Sequence, residues 1–307
     1  MSNGATVNAR PPAMARRTGS VYGKAGFLEN WATMAKWKND AGTGAKGGKR
    51  SAGAPPARRD QRPAALPAAQ RRNDPDVAWL YGFHSVQAAL NAGSRKLIRL
   101  YATADAAQRL SGEIAARRLD TTIMTAAEID RLSPRDAVHQ GLLLEARPLA
   151  PVTLDDLPVK GIVLVLDQIS DPHNVGAILR TGAAFGVEAL VTTDRHRPEF
   201  SGVLAKAASG GLEIVPVCVV TNLARALQHL ADLGYWRVGL DSEAPITLGK
   251  AKLTQPLALV LGAEGPGLRR LTREHCDELA KLDLPGPIKS LNVSNAAAIA
   301  LQIAMGV

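Results

Sequence analysis

Cysteine is nearly missing from this 307-residue chain, with only Cys218 and Cys276 present. Two isolated thiols make neither a disulfide framework nor a zinc site, so a reducing compartment is expected. No His/Cys/Asp cluster has metal-ligand spacing, so no metal is expected. No uncharged stretch reaches the ~20 residues that span a bilayer. The opening MSNGATVNARPPAMARR lacks the apolar core of a secretory signal. A cytoplasmic protein with no membrane partner is the expectation. Net charge is missing too from three quarters of the chain. Residues 1–76 hold 14 basic and 5 acidic side chains, and the remainder holds 23 of each, so the overall +9 belongs to the first segment.

That segment, 1–76, is rich in Gly, Ala, Pro, Lys and Arg, as in AGTGAKGGKRSAGAPPARRDQRP. Such a composition cannot bury enough apolar area to offset chain entropy, and a disordered basic N-terminal tail is expected. It reads as a solvated linker, or as an arm that grips RNA phosphates without sequence preference. Phe27, Trp31 and Trp37 interleave with Lys36 and Lys38, which suits base stacking or a short helix docking on a partner. An organellar transit peptide is a further reading, against which the many Gly and Pro residues count.

From Trp79 the pattern alternates between strands and helices, and 46% hydrophobic residues supply a core. WLYGFHSVQAALNAG predicts a strand and then a helix with Val86, Ala89 and Leu90 on one face. KLIRLYAT reads as a strand, AAQRLSGEIAARRL as one amphipathic helix, and TTIMT, AEIDRLS and HQGLLLEARP complete a small α/β unit over 77–147. His84 and His139 within it read as structural. The prolines and acidic pair of PLAPVTLDDLP mark 148–160 as a linker. The second domain, 161–307, begins with IVLVLDQI, a run typical of a strand buried on both faces. EIVPVCVV reads as a further strand, and the regular alternation argues for a mostly parallel sheet covered by helices.

The last quarter carries the chemistry. An apolar run, Leu257 to Leu261, opens into Gly262-Ala263-Glu264-Gly265-Pro266-Gly267, and a second, Leu279 to Leu284, ends in Pro285-Gly286-Pro287. Ser290, Leu291, Asn292 and an Ala/Ile-rich helix follow. Two loops leaving one edge of a parallel sheet converge where α/β proteins bind ligands. GAEGPG lacks the G-x-G-x-x-G spacing of a dinucleotide fingerprint, which argues against a nicotinamide enzyme. Taken singly, Asn174 reads as the N-cap of a helix starting near Val175, and Ser290 or Asn292 as the cap of the last helix. Arg180 reads as a snorkelling or ion-paired residue, and Glu264 as a solvated loop carboxylate.

GAEGPG, LPGPIKSLNVSNA and the upstream LDQISDPHNVGAILRTGAAFG together resemble the three ordered motifs of the SpoU (TrmH-like) RNA ribose 2′-O-methyltransferases. The resemblance runs from about Trp79 to the end and is nearest to the branch acting on guanosine of large-subunit (23S) rRNA. It implies a SPOUT-type trefoil-knotted, mostly parallel α/β sheet, an L30e-like substrate-binding domain before it, S-adenosylmethionine as cofactor, RNA as partner and a homodimer. It implies a catalytic set of Asn174, Arg180, Glu264, Ser290 and Asn292, with Gly262, Leu282 and Leu291 holding the cofactor. A family proposal makes Arg180 the base for the ribose hydroxyl. A guanidinium keeps its proton up to a pKa above ~12, so binding phosphate and stabilising an alkoxide is the easier role. A tRNA ribose target, or a non-catalytic ribosome-assembly factor, are the alternatives.

Overall fold

The computed structural model describes Asp74 and residues 76–135, 137–195, 197–200 and 202–306. Apart from Asp74 and Asp76, the basic tail, with Phe27, Trp31 and Trp37, lies outside the described residues. Among the described residues no helix is long and apolar enough to cross a membrane.

The first sheet is built from β1 (Ala78–Tyr81), β2 (Leu97–Ala102), β3 (Thr121–Ile123) and β4 (Leu142–Ala146), in the order β1-β4-β2-β3. Strand β4 runs antiparallel to both of its neighbours, and β2 and β3 are parallel. Helix α1 (Phe83–Ala92) buries Val86, Ala89 and Leu90, the face its periodicity predicts. The single helix expected over AAQRLSGEIAARRL is instead two, α2 (Ala104–Arg109) and α3 (Ser111–Arg117). They meet at Leu110, which is fully buried and leaves helical geometry at φ −110° to reach the core. Helix α4 (Ala126–Leu132) starts with a reciprocal cap between Thr125 and Glu128. His139 is buried, with its Nε2 2.9 Å from Asp130 Oδ1, and accepts from the Gly141 amide, a structural role. His84 is exposed, edge-on to Phe83.

The stretch from Pro148 to Lys160 is mostly exposed but anchored at two leucines. Thr153 and Asp156 cap a 3-10 turn, Leu154–Asp156, and hydrogen bonds from Thr153 hold the Asp156 carboxyl below the usual carboxylate range. Leu154 and Leu157 are buried with Val163, Val191 and Leu227.

Seven strands make the second sheet: β5 (Ile162–Asp167), β6 (Ala189–Thr193), β7 (Val217–Val220), β8 (Trp236–Leu240), β9 (Ile246–Thr247), β10 (Leu257–Gly262) and β11 (Glu278–Lys281). Their order is β7-β6-β5-β10-β8-β11-β9, and every pairing is parallel. Strand β5 is buried throughout. Alternation sends Ile162, Leu164 and Leu166 into one core and Val163 and Val165 into the other. Helices α5 (Pro172–Phe185) and α10 (Val293–Met305) pack into the first with Ile178, Leu179, Ala297 and Leu301. Helix α8 (Leu223–Asp232) packs into the second with Leu227 and Leu230. Helices α6 (Gly202–Ala208), α7 (Gly211–Ile214) and α9 (Arg270–Glu274) complete the fold.

Two expected strands are shorter. EIVPVCVV begins as the end of α7, and β7 starts only after Pro216, whose ring nitrogen has no proton for a ladder. The apolar run Leu279 to Leu284 leaves the sheet at Lys281, so Leu282 to Leu284 already belong to the loop. Strands β5 and β10 lie side by side in register, Gly262 opposite Asp167, so both of their carboxyl-end loops open on the same crevice.

Candidate active site

Helix α5 begins one turn earlier than its sequence suggests. Asp171 is its N-cap, accepting from His173 N at 2.9 Å, and Pro172 takes the first helical position, where a missing N–H costs nothing. Asn174 is therefore inside the first turn and not a cap. Its side chain is free to reach across the crevice, donating from Nδ2 to Glu264 Oε1 at 3.2 Å.

Glu264 is held by a loop folded back on its own strand. Gly267 N donates to Ala263 O at 2.9 Å, and Gly265 and Gly267 adopt left-handed backbone at φ 82° and 66°, which glycine does without strain. A Cβ on Gly262 would lie 2.3 Å from the carbonyl carbon of Gly267, so only glycine permits this closure. Arg269 braces the far end, donating from its backbone N at 3.0 Å and from Nε at 2.7 Å to the fully buried Asp167 at the tip of β5.

Asn292 supplies the third side. It caps α10, its Oδ1 accepting from Ser294 N at 2.9 Å. Its Nδ2 donates to Glu264 Oε1 at 2.8 Å and to Asn174 Oδ1 at 2.9 Å. The backbone of Val293 adds a third donor to Glu264 Oε1 at 3.2 Å. The carboxylate thus sits between the N-termini of α5 and α10, where both helix dipoles favour negative charge.

Arg180 and Ser290 are not in this network. Both are exposed, and neither makes a side-chain hydrogen bond or ion pair among the described residues. Arg180 lies six residues beyond Asn174, roughly 9 Å along the helix axis and about 120° around it. Leu282 is half-buried against the core just past β11, and Leu291 is 36% exposed near Ile288 at 74%. Between them, from 283 to 291, the backbone makes no hydrogen bond with other backbone among the described residues, and only Leu284 O is engaged, by Lys289 Nζ at 2.6 Å. Apolar side chains beside backbone groups that no other backbone engages suit an adenine nucleoside.

Residues 161–302 match the SpoU rRNA Methylase family, and 79–152 match the family described as RNA 2′-O ribose methyltransferase substrate binding. The 23S rRNA (guanosine-2′-O-)-methyltransferase RlmB of Pectobacterium atrosepticum is 37% identical over 232 residues, covering 72% of this chain and 95% of that protein. The chain belongs to the SpoU rRNA methylase family. RlmB of Nitrosomonas europaea is 39% identical over 231 residues, 73% of this chain and 89% of that one. In fold, the AdoMet-bound rRNA methyltransferase from Sinorhizobium meliloti resembles it with a TM-score of 0.67 at 21% identity, over 78% of this chain and 90% of that one.

Two residues of this SpoU-family site escape a motif reading. Asp167 and Arg269 bond to each other and so fix the Glu264 loop to β5. Their signal was available in an aspartate ending a wholly apolar strand and an arginine following a glycine loop. Both cysteines are free, and burial pushes their thiols up to about 12, so neither is a nucleophile at neutral pH.

Proposed function

We propose that this protein transfers the methyl group of S-adenosylmethionine to a ribose 2′-hydroxyl of RNA, with a guanosine of 23S ribosomal RNA as its target. The observation that carries the reading is the Asn174–Glu264–Asn292 network at the carboxyl ends of β5 and β10, in a chain of the SpoU family. The identity to RlmB across nearly that protein's whole length supports the 23S guanosine.

S-adenosylmethionine supplies an electrophilic methyl on a sulfonium sulfur. Gly262, Leu282 and Leu291 hold it through backbone groups and apolar contact. Glu264 does no proton chemistry; it orients the two asparagine amides, which with Ser290 line the approach of the ribose. Arg180 binds the adjacent phosphate and stabilises the alkoxide that develops as the hydroxyl gives up its proton to water. Holding two reactants in line can contribute roughly 7–11 kcal/mol to lowering the barrier.

The unit over 77–147 acts as an L30e-like domain that grips RNA, a role supported by the substrate-binding family match. The C-terminal segment forms a trefoil knot. In support, β11 is flanked by β8 and β9, which residues 241–245 join, and the chain then returns to lay α10 on α5. The protein acts in the cytoplasm as a homodimer, for which Ile299 on α10 offers an exposed apolar contact and Arg180 a side chain turned from its own network.

Incubating the protein with tritiated S-adenosylmethionine and total RNA tests the reading. Label mapping to one 23S guanosine is expected. Label in tRNA would move the target, and no label under any condition would leave an RNA-binding assembly factor.

A further inference from the structure

Helices α6 and α7 form a thin layer between the first sheet and α5, and glycine stands at each crossing. A Cβ on Gly202 would meet the Tyr81 ring at 2.2 Å, and one on Gly210 would meet Ala88 Cβ at 2.8 Å. On the other side, a Cβ on Gly176 would fall 2.5 Å from Ala207 Cβ, and one on Gly211 would fall 2.6 Å from Leu179 O and 2.9 Å from Arg180 N. The layer therefore touches α1 and β1 on one face and the backbone that carries Asn174 and Arg180 on the other. At these crossings the glycines let backbone approach the facing helix or ring closely.

One buried ion pair fastens this layer. Glu213 of α7 receives Arg95 Nη2 at 2.6 Å and Arg95 Nε at 3.1 Å, with both side chains only 2% exposed. Ser94 Oγ donates to the same carboxylate at 2.7 Å, and Arg95 Nη1 reaches Arg147 O at 3.4 Å, where the chain leaves the first sheet. A second buried bond, Ser85 Oγ to Ala205 O at 2.8 Å, lies at the other end of α1. Burying two charges costs desolvation that their attraction only partly returns, so such a pair is weak evidence for stability and better suited to fixing one geometry. A bidentate guanidinium–carboxylate fork fixes direction as well as distance.

We propose that the Arg95–Glu213 pair is a positioning device for methyl transfer. It sets the RNA-gripping sheet at one fixed distance from Arg180 and so selects which ribose enters the site. The connecting stretch 148–160 is itself anchored at Leu154 and Leu157, which limits how far the first domain can move to deliver a neighbouring nucleotide. This rests on the reading of the protein as an RNA methyltransferase whose first domain binds the substrate. Neither Arg95 nor Glu213 touches the reacting atoms; they act through α7 and α5.

The test is Glu213→Gln in the full chain, assayed on 23S rRNA fragments with every methylated ribose mapped. The expected result is a KM for RNA raised by ten-fold or more, label spread onto riboses beside the normal one, and S-adenosylmethionine affinity by calorimetry within two-fold of wild type. Spin labels on α3 and α8 should report a narrow inter-domain distance in the wild type and a broad one in the variant. Should Glu213→Gln fail to fold, Arg95→Lys keeps the charge, loses the fork and should show the same spread in milder form. A variant that methylates only the normal ribose at unchanged KM, with a narrow distance distribution, overturns the proposal. If the wild type itself labels no RNA, the methyltransferase reading fails first, which a separate wild-type control reveals.

Discussion

Asn292 holds Glu264 with one end of its amide and caps its own helix with the other. Its Nδ2 lies 2.8 Å from the Glu264 carboxylate, while its Oδ1 accepts the Ser294 amide. The two duties can be separated. Asn292→Asp keeps the capping oxygen and loses the donor, setting a second carboxylate beside Glu264. Folding stability should stay within about 1 kcal/mol of wild type, whereas Asn292→Ala should lose ~0.5–2 kcal/mol with the cap. Methyl transfer should fall by about a hundred-fold or more in both. Urea titrations alongside turnover read the difference, and an active Asn292→Asp would remove the amide donor from the mechanism.

Arg180→Ala should abolish transfer while cofactor affinity stays within a few fold, because its proposed partners are the RNA phosphate and the ribose oxygen and not the adenosine. Arg180→Lys retains the charge without the planar fork, and should recover only a minor share of kcat. Calorimetry with the demethylated cofactor product, beside single-turnover rates, checks both. Wild-type turnover in either variant would exclude Arg180.

Gly262→Ala forces a Cβ against the Gly267 carbonyl carbon. Since backbone cannot yield as a flexible side chain can, a loss of roughly 1–3 kcal/mol is expected, with S-adenosylmethionine affinity falling at least ten-fold. Thermal midpoints and calorimetry measure the two. Unchanged values would mean that the loop need not close on β10.

Ending the chain at Lys281 removes α10, whose Ala297, Ala300 and Leu301 are buried in the main core, together with the segment of the proposed knot. Cooperative unfolding and cofactor binding should both vanish. A truncated protein that still melts cooperatively and binds cofactor would sink the knot assignment.

Arg237 on β8 grips Asp277 through two bonds of 2.9 and 2.7 Å, and its backbone N adds a third at 2.8 Å. These hydrogen bonds hold the Asp277 carboxyl below the usual range. The stabilisation is complete above the unfolded value of about 3.9 and is lost as pH falls through the lower folded value. Urea midpoints should therefore drop on acidification below about pH 4, and Asp277→Asn should flatten that part of the acid limb while lowering the midpoint at pH 7. An identical acid profile in Asp277→Asn would assign the limb to other carboxylates.

The parallel sheet was legible because a strand buried on both faces has to be apolar at every position, as in Ile162 to Leu166. Helix α1 was legible because one face alone is buried. Leu110 was not, since a leucine inside an amphipathic pattern gives no sign that it will leave the helix for the core. Glu264 and Asn292 do meet, as the two converging loops suggested, and Asn174 joins them from α5, a place that only the family resemblance implied. What spacing could not convey is that Asn174 is no cap: Asp171 and Pro172 compete for the helix start, and the structure settles on them. The Arg95–Glu213 pair was equally hidden, joining residues 118 apart that no local pattern connects.

The order of synthesis gives the Asn174–Asn292 contact a time dimension. Its partners are separated by 118 residues, and Glu264 from Asn292 by 28. At ~5–20 residues per second, a growing chain carries Asn174 for roughly 6–24 seconds before Asn292 is even polymerised. For the first 90 of those residues Glu264 does not exist either, and for the last 28 its carboxylate has no second amide to orient it. A nascent chain made beside ribosomal RNA therefore holds most of a folded sheet but no working centre.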